Sequence, residues 1–224
     1  MEHAIIEFSG VTLRYRSGIT IGPLDFRVGP RELVLVGGPN GAGKSTLLGL
    51  VAGSLLPDRG RVTVTLRRAQ VAVLPQHHTF HPDLPVRVED VVGFGALAHG
   101  WLRTPDRTVC KRALERVGAG ELGGRLFREL SGGQRQLVQL ARLLAQGGRL
   151  WLLDEPLAGL DSEWRRRVAQ VLDSLHRDDG IAMLLVSHHL DAVPPACRRM
   201  LRIEDGRIRA DGPPVPVVRE VADA

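Results

Sequence analysis

Gly38-Pro39-Asn40-Gly41-Ala42-Gly43-Lys44-Ser45 matches the pattern Gly-x-x-x-x-Gly-Lys-Ser/Thr, and its neighbours make the match specific. Glu32 to Val36 reads as a buried strand ending at Gly37-Gly38. From Lys44 onward Leu47, Leu48, Leu50 and Val51 give a helical pattern that Gly53 closes. Strand, glycine loop, helix is the arrangement that cradles a phosphate. Glycines let backbone amides curl around the anion where a Cβ would obstruct, and the helix N-terminus adds partial positive charge. Lys44 is then expected to neutralise the β and γ phosphates, and the Ser45 hydroxyl to ligate Mg2+. Gly38 through Thr46 are the candidate nucleotide-binding residues.

The rest of the chain reads as an α/β fold around that loop. Ile5 to Phe8, Val11 to Tyr15 and Leu24 to Val28 are expected short strands, as are Arg61 to Leu66 and Gln70 to Leu74. From Gln76 to Gln146 the pattern turns helical and more polar, with breaks at proline and glycine, which predicts a helical subdomain over roughly 76–148. Leu150-Trp151-Leu152-Leu153 and Ile181 to Val186 are wholly apolar, the mark of central parallel strands covered on both faces. Between them Trp164, Val168, Val171, Leu172 and Leu175 share one helical face, with Asp161 or Ser162 as the N-cap. Leu201 to Arg209 carries Asp205-Gly206 at its middle and reads as a hairpin.

Leu150 to Leu153 delivers Asp154 and Glu155 to the C-terminal end of a central strand, where open α/β sheets bind ligands. Asp154 is expected to hold the metal through its water shell, and Glu155 to orient and deprotonate an attacking water. Ser131-Gly132-Gly133-Gln134 opens another strong helix. Ser131 fits as its N-cap, and the two glycines bare the first-turn amides, which makes a second anion site far from the first in sequence.

One domain has no evident need for two such sites, and here the chain resembles the ATPase subunits of ABC transporters. In that family the Ser-Gly-Gly-Gln signature, here Ser131 to Gln134, contacts the γ-phosphate held by the other subunit. The resemblance runs from Tyr15 to about Pro214 with its elements in family order. It implies that Tyr15 stacks on adenine, that Gln76 reaches Mg2+ and reports to the membrane subunit, that Asp161 lies in the loop crossing the dimer interface, and that His188 touches the γ-phosphate. His189 stands where the family usually has an acid, and Gly37 where it usually has a larger apolar residue. The resemblance therefore implies a P-loop NTPase of ABC type in a single domain, 1–224, with a mostly parallel sheet, an antiparallel β portion on the N-terminal side and the helical subdomain. It further implies ATP as substrate, Mg2+ as cofactor, a head-to-tail dimer with a second copy of the chain, integral membrane permease subunits and a solute-binding protein outside the membrane.

Pro85-Val86-Arg87-Val88-Glu89-Asp90-Val91-Val92 and Gly100-Trp101-Leu102 look like the ATPases of zinc and manganese importers. Related strings occur in importers of iron-siderophore, haem and cobalamin, and an ABC ATPase of cofactor assembly also has this size. His77, His78 and His81 follow Gln76; an exposed loop near the membrane subunit accounts for them better than a metal sensor, since no cysteine or carboxylate pattern completes a tetrahedral site.

Composition narrows the rest. The chain has 224 residues, 43% hydrophobic and 25% charged, enough for one globular core. A membrane-crossing helix needs roughly 20 consecutive apolar residues, and the longest apolar run here is Ile181 to Val186. Met1 to Glu7 lacks a basic segment followed by a long apolar one, so no secretory signal is expected, and little chain remains after the hairpin for a regulatory domain. The expected location is the cytoplasmic side of the membrane, held there by a partner. Net charge is +5, with Lys44 and Lys111 the sole lysines and arginines spread through every segment, so no nucleic-acid partner is expected. Cys110 and Cys197 form neither a disulfide framework nor a zinc pair.

Overall fold

The computed structural model describes residues 4–76, 85–97 and 106–214. Its centre is a six-stranded sheet in the order β5-β6-β7-β3-β8-β9, built from β3 (Leu33–Gly37), β5 (Val71–Leu74), β6 (Leu150–Asp154), β7 (Ala182–Val186), β8 (Arg199–Glu204) and β9 (Arg207–Gly212). The first five run parallel and β9 turns back antiparallel to β8. The turn between them puts Asp205 at φ 49° and Gly206 at φ 71°, the left-handed pair that a two-residue hairpin requires.

β3 and β7 are buried throughout, and β6 up to Asp154, because apolar layers cover both sheet faces. Alternate residues serve the two layers. Leu33, Leu35, Trp151, Leu153, Met183 and Leu185 pack with the helices α2 (Val88–Ala96), α3 (Arg107–Arg116), α4 (Gly132–Ala145) and α5 (Ser162–Asp179). Val34, Val36, Leu150, Leu152, Leu184 and Val186 face α1 (Lys44–Ala52) and a second sheet.

That second sheet is antiparallel, in the order β2-β1-β4, from β1 (Ile6–Arg14), β2 (Thr20–Val28) and β4 (Arg59–Val64). The two strands read from the sequence at its start are one. Its register shifts between Phe8 and Val11, where Gly10 sits at φ 59° and donates its N–H to Asp25 Oδ1 at 2.7 Å. A bulge lets one strand bend through a stretch whose alternation is broken.

Between β5 and β6 the described chain consists of α2, α3 and α4 with single-turn 3₁₀ segments. α2 approaches α4 so closely that a Cβ on Gly95 would fall within 3.0 Å of the Arg142 carbonyl oxygen. α4 also covers the open edge of the large sheet. Gln146, just past its end, donates to Val71 O at 3.1 Å, and Arg142 reaches Val73 O at 3.4 Å, which satisfies edge carbonyls that would otherwise face solvent.

Candidate nucleotide site

The loop between β3 and α1 owes its course to its glycines. Gly38 has φ 141°, and a Cβ there would stand inside 3.0 Å of the backbone carbonyl of Ile203 on β8. Gly43 has φ 102° and its added Cβ would meet Ile21 Cδ1 at 2.7 Å. Neither place admits a side chain. Gly43 offers no side chain to cap α1, so the first-turn amides of that helix are left for another acceptor. Lys44, only 7% exposed, folds over the loop and donates its ammonium to the carbonyls of Gly38 and Pro39, each at 2.9 Å.

A cavity of about 450 Å³ opens over this loop. Asn40, Gly41, Gly43, Lys44, Ser45 and Thr46 form its floor, and Gln76, Asp154 and Glu155 line it from the ends of β5 and β6. Ser45, Gln76 and Asp154 bring a hydroxyl, an amide and a carboxylate to one space, the hard oxygen donors that a small divalent cation takes. Pro39 contributes its carbonyl to Lys44, and Ala42 is buried beneath the loop. Tyr15 lines the mouth, with its hydroxyl 2.8 Å from Thr46 Oγ1.

Glu155 takes φ 53°, uncommon for a residue with a side chain, and its N–H donates to Val186 O on the neighbouring strand. Its carboxylate is almost covered. Oε2 accepts from the His188 backbone N–H at 3.3 Å and lies 2.8 Å from His188 Nδ1. The residues after β6 and those after β7 thus meet because the two strands are neighbours. The His189 ring lies 4.0 Å from that of His188, and the His189 N–H donates to Ser187 Oγ.

Ser131, Gly132, Gly133, Gln134 and Asp161 do not line this cavity; they form a second locus. Ser131 Oγ accepts from the Gln134 N–H at 3.3 Å while Gln134 Oε1 accepts from the Ser131 N–H at 3.0 Å, a reciprocal cap on α4. Asp161, not Ser162, caps α5 by accepting from Trp164 N at 2.8 Å. The two caps are in contact: Gly132 faces Leu160, and Gly133 lies under the Trp164 ring with no room for a Cβ.

The departure at Gly37 has a structural counterpart. A Cβ there would fall on Cε of Met200, so the methionine of β8 fills the space that a larger residue at 37 would occupy. Sequence reasoning missed Ile19 and Ile21, which make the mouth of the cavity apolar beside Tyr15; the alternation of β2, extended back to the turn after Tyr15, is the signal that finds them. His77, His78, His81 and Gly100-Trp101-Leu102 lie outside the described residues. Both cysteines are buried and free, and burial pushes each thiol's pKa up. Among the described residues no helix is long and apolar enough to cross a membrane.

The family model described as ABC transporter matches residues 21–158. The chain is 37% identical over 230 residues to the hemin import ATP-binding protein HmuV of Pseudomonas aeruginosa, covering 96% of this chain and 89% of that one. It is 36% identical over 198 residues to the manganese transport system ATP-binding protein MntB of Halalkalibacterium halodurans, covering 84% and 78%. Among solved structures it superposes on an ABC transporter in an inward-facing conformation with a TM-score of 0.85 at 27% identity, covering 94% of this chain and 84% of that one. With the family model matched over more than half of its length and an import ATP-binding protein aligned along nearly all of it, the chain belongs to the ABC transporter family and is an ATPase.

Proposed function

We propose that the chain is the ATP-hydrolysing subunit of an importer for haem or another iron chelate, working as a head-to-tail pair on the cytoplasmic face of integral permease subunits. The described chain serves as one ATPase unit, with the described residues of 76–148 as its helical part. The observation that carries the reading is the separation of the two loci. Lys44, Asp154 and Glu155 share one cavity, whereas Ser131 and Asp161 lie together outside it, the division expected if each copy completes the other's site. HmuV, matched over nearly the whole chain, supports haem as cargo. The match to MntB supports a second reading, manganese or zinc, as the sequence strings also suggest. A solute-binding protein outside the membrane would deliver either cargo.

Within the cavity, ATP binding would draw Lys44 from the Gly38 and Pro39 carbonyls to the β and γ phosphates. Gly41 and Gly43, both at positive φ, leave the loop amides free of side chains beside those phosphates. Ser45, Gln76 and Asp154 would hold Mg2+, whose charge, when bound, offsets that of the phosphate oxygens. Glu155, turning from His188, would accept a proton from water as the water oxygen bonds to the γ-phosphorus and the bond to the β-γ bridging oxygen breaks, leaving ADP and phosphate. His188, released from Glu155, would donate to the γ-phosphate.

The test replaces Lys44 by Ala at the native locus and follows growth on haem as sole iron source together with cellular iron, manganese and zinc. Loss of growth on haem with manganese and zinc unchanged supports the haem reading. A selective fall in manganese or zinc moves the cargo to the second reading, and no change in any of these refutes both.

A further inference from the structure

We infer that Thr46 is a positioning residue for base recognition: its hydroxyl tethers the Tyr15 ring at the mouth of the nucleotide cavity. The inference rests on the reading of Tyr15 as the platform for the base and adds what holds that platform still.

Tyr15 follows the end of β1 and starts the turn to β2, where its N–H donates to Ile19 O at 2.8 Å and its carbonyl accepts from Gly18 N at 2.9 Å. Those bonds fix the backbone but not the ring. The residue is 37% exposed, so packing alone leaves its side chain free to swing into solvent. The ring is held at its far end, where the hydroxyl meets Thr46 Oγ1 at 2.8 Å. Thr46 is 8% exposed and lies in the first turn of α1, beside the Lys44 and Ser45 that face the phosphates. One side chain thereby links the antiparallel sheet that carries the base platform to the helix that carries the phosphate loop. Thr46 touches no base itself in this scheme; it acts through Tyr15 and reduces the ordering cost of binding.

A tether for the base predicts an effect on nucleosides and none on phosphate alone. The full-length chain is titrated calorimetrically with ADP and, separately, with pyrophosphate, both with Mg2+. Thr46→Val and Tyr15→Phe each remove one end of the hydrogen bond and are expected to weaken ADP binding roughly three- to tenfold. Together they weaken it no more than either alone. Pyrophosphate affinity of Tyr15→Phe, which leaves the Thr46 hydroxyl in the phosphate loop, stays within about twofold of the parent, and Thr46→Ser, which keeps the hydroxyl, binds ADP as the parent does. A parallel fall for ADP and pyrophosphate in Tyr15→Phe overturns the inference, because the hydrogen bond then only supports the phosphate loop. Unchanged ADP binding in Thr46→Val also overturns it. Tyr15→Ala separates the two levels. If it weakens ADP binding while Thr46→Val does not, the tether fails and the platform stands; if it leaves ADP binding at the parent value, the platform fails and the tether with it.

Discussion

Gly133→Ala should destabilise the protein although it replaces glycine by the best helix former in a helix. A Cβ on Gly133 would stand within 3.0 Å of Cδ2, Cε3 and Cγ of Trp164, atoms at the root of the ring rather than at a flexible tip. Carbon atoms rest about 3.5–4.0 Å apart, so ring or helix must withdraw by on the order of 1 Å. The ring is not free to do so. Trp164 packs against the core of the helical layer, its backbone N–H is fixed by the Asp161 cap at 2.8 Å, and the Arg167 guanidinium lies 5.0 Å over the ring face. Overpacking of this kind costs about 1–3 kcal/mol, against up to about 1 kcal/mol gained in helix propensity. The net expectation is a loss of about 1–2 kcal/mol, read in urea unfolding as a midpoint lowered by about 0.5 M. Gly132→Ala is the control: its Cβ would find Leu160 Cδ2 at 3.8 Å, an ordinary contact, so that variant should be as stable as the parent or more so. Adding Trp164→Leu to Gly133→Ala removes the obstacle and should make the pair less damaging than the sum of the single changes. An unfolding midpoint for Gly133→Ala at or above the parent's, or strict additivity with Trp164→Leu, refutes the packing account.

Glu155→Gln keeps the shape of the carboxylate but cannot take a proton; phosphate release should fall by about 10²-fold or more while ATP still binds, and turnover within about twofold of the parent would remove Glu155 as the base. Gly37→Ala meets only the flexible end of Met200 and should stay within about 1.5 kcal/mol of the parent in denaturant titration, whereas Gly38→Ala meets the Ile203 carbonyl at φ 141° and should lose nucleotide binding or fold; equal effects would contradict the distinction. Cys110 and Cys197, buried with raised thiol pKa values, should resist a disulfide reagent at neutral pH in the native protein and react once it is denatured; fast native labelling would show that either thiol is reachable.

What could be read from the residues was whatever depends on neighbours in the chain. The phosphate loop, the buried strands on either side of α5, the caps at Ser131 and Asp161, and the Asp205-Gly206 turn all follow from local pattern and turn chemistry. What could not be read depends on which strands lie side by side. Glu155 and His188 are 33 residues apart, and only the placing of β6 next to β7 brings them within 2.8 Å. Met200 fills the gap at Gly37 because β8 runs beside β3, a pairing that periodicity does not reveal. The bulge in β1 reads in the sequence as a break because a strand that bends loses its alternation where the extra residues sit.

The two glycines of the signature helix show where packing ends as an explanation. Gly133 is required by Trp164, so its presence says nothing by itself about a ligand. Gly132 is different. A Cβ there would fit, and the Ser131 N–H beside it is already spent on Gln134 Oε1. A glycine in a helix interior costs up to about 1 kcal/mol relative to alanine, and among the described residues nothing offsets even the smaller cost at this first position. Close backbone approach of an outside group would be a physical reason for it, since Gly132 lies in the first turn of α4, where amide donors and the positive end of the helix dipole face outward. The proposed contact to a phosphate held by a second copy therefore rests on Gly132 and the Ser131 hydroxyl, and not on the signature as a whole.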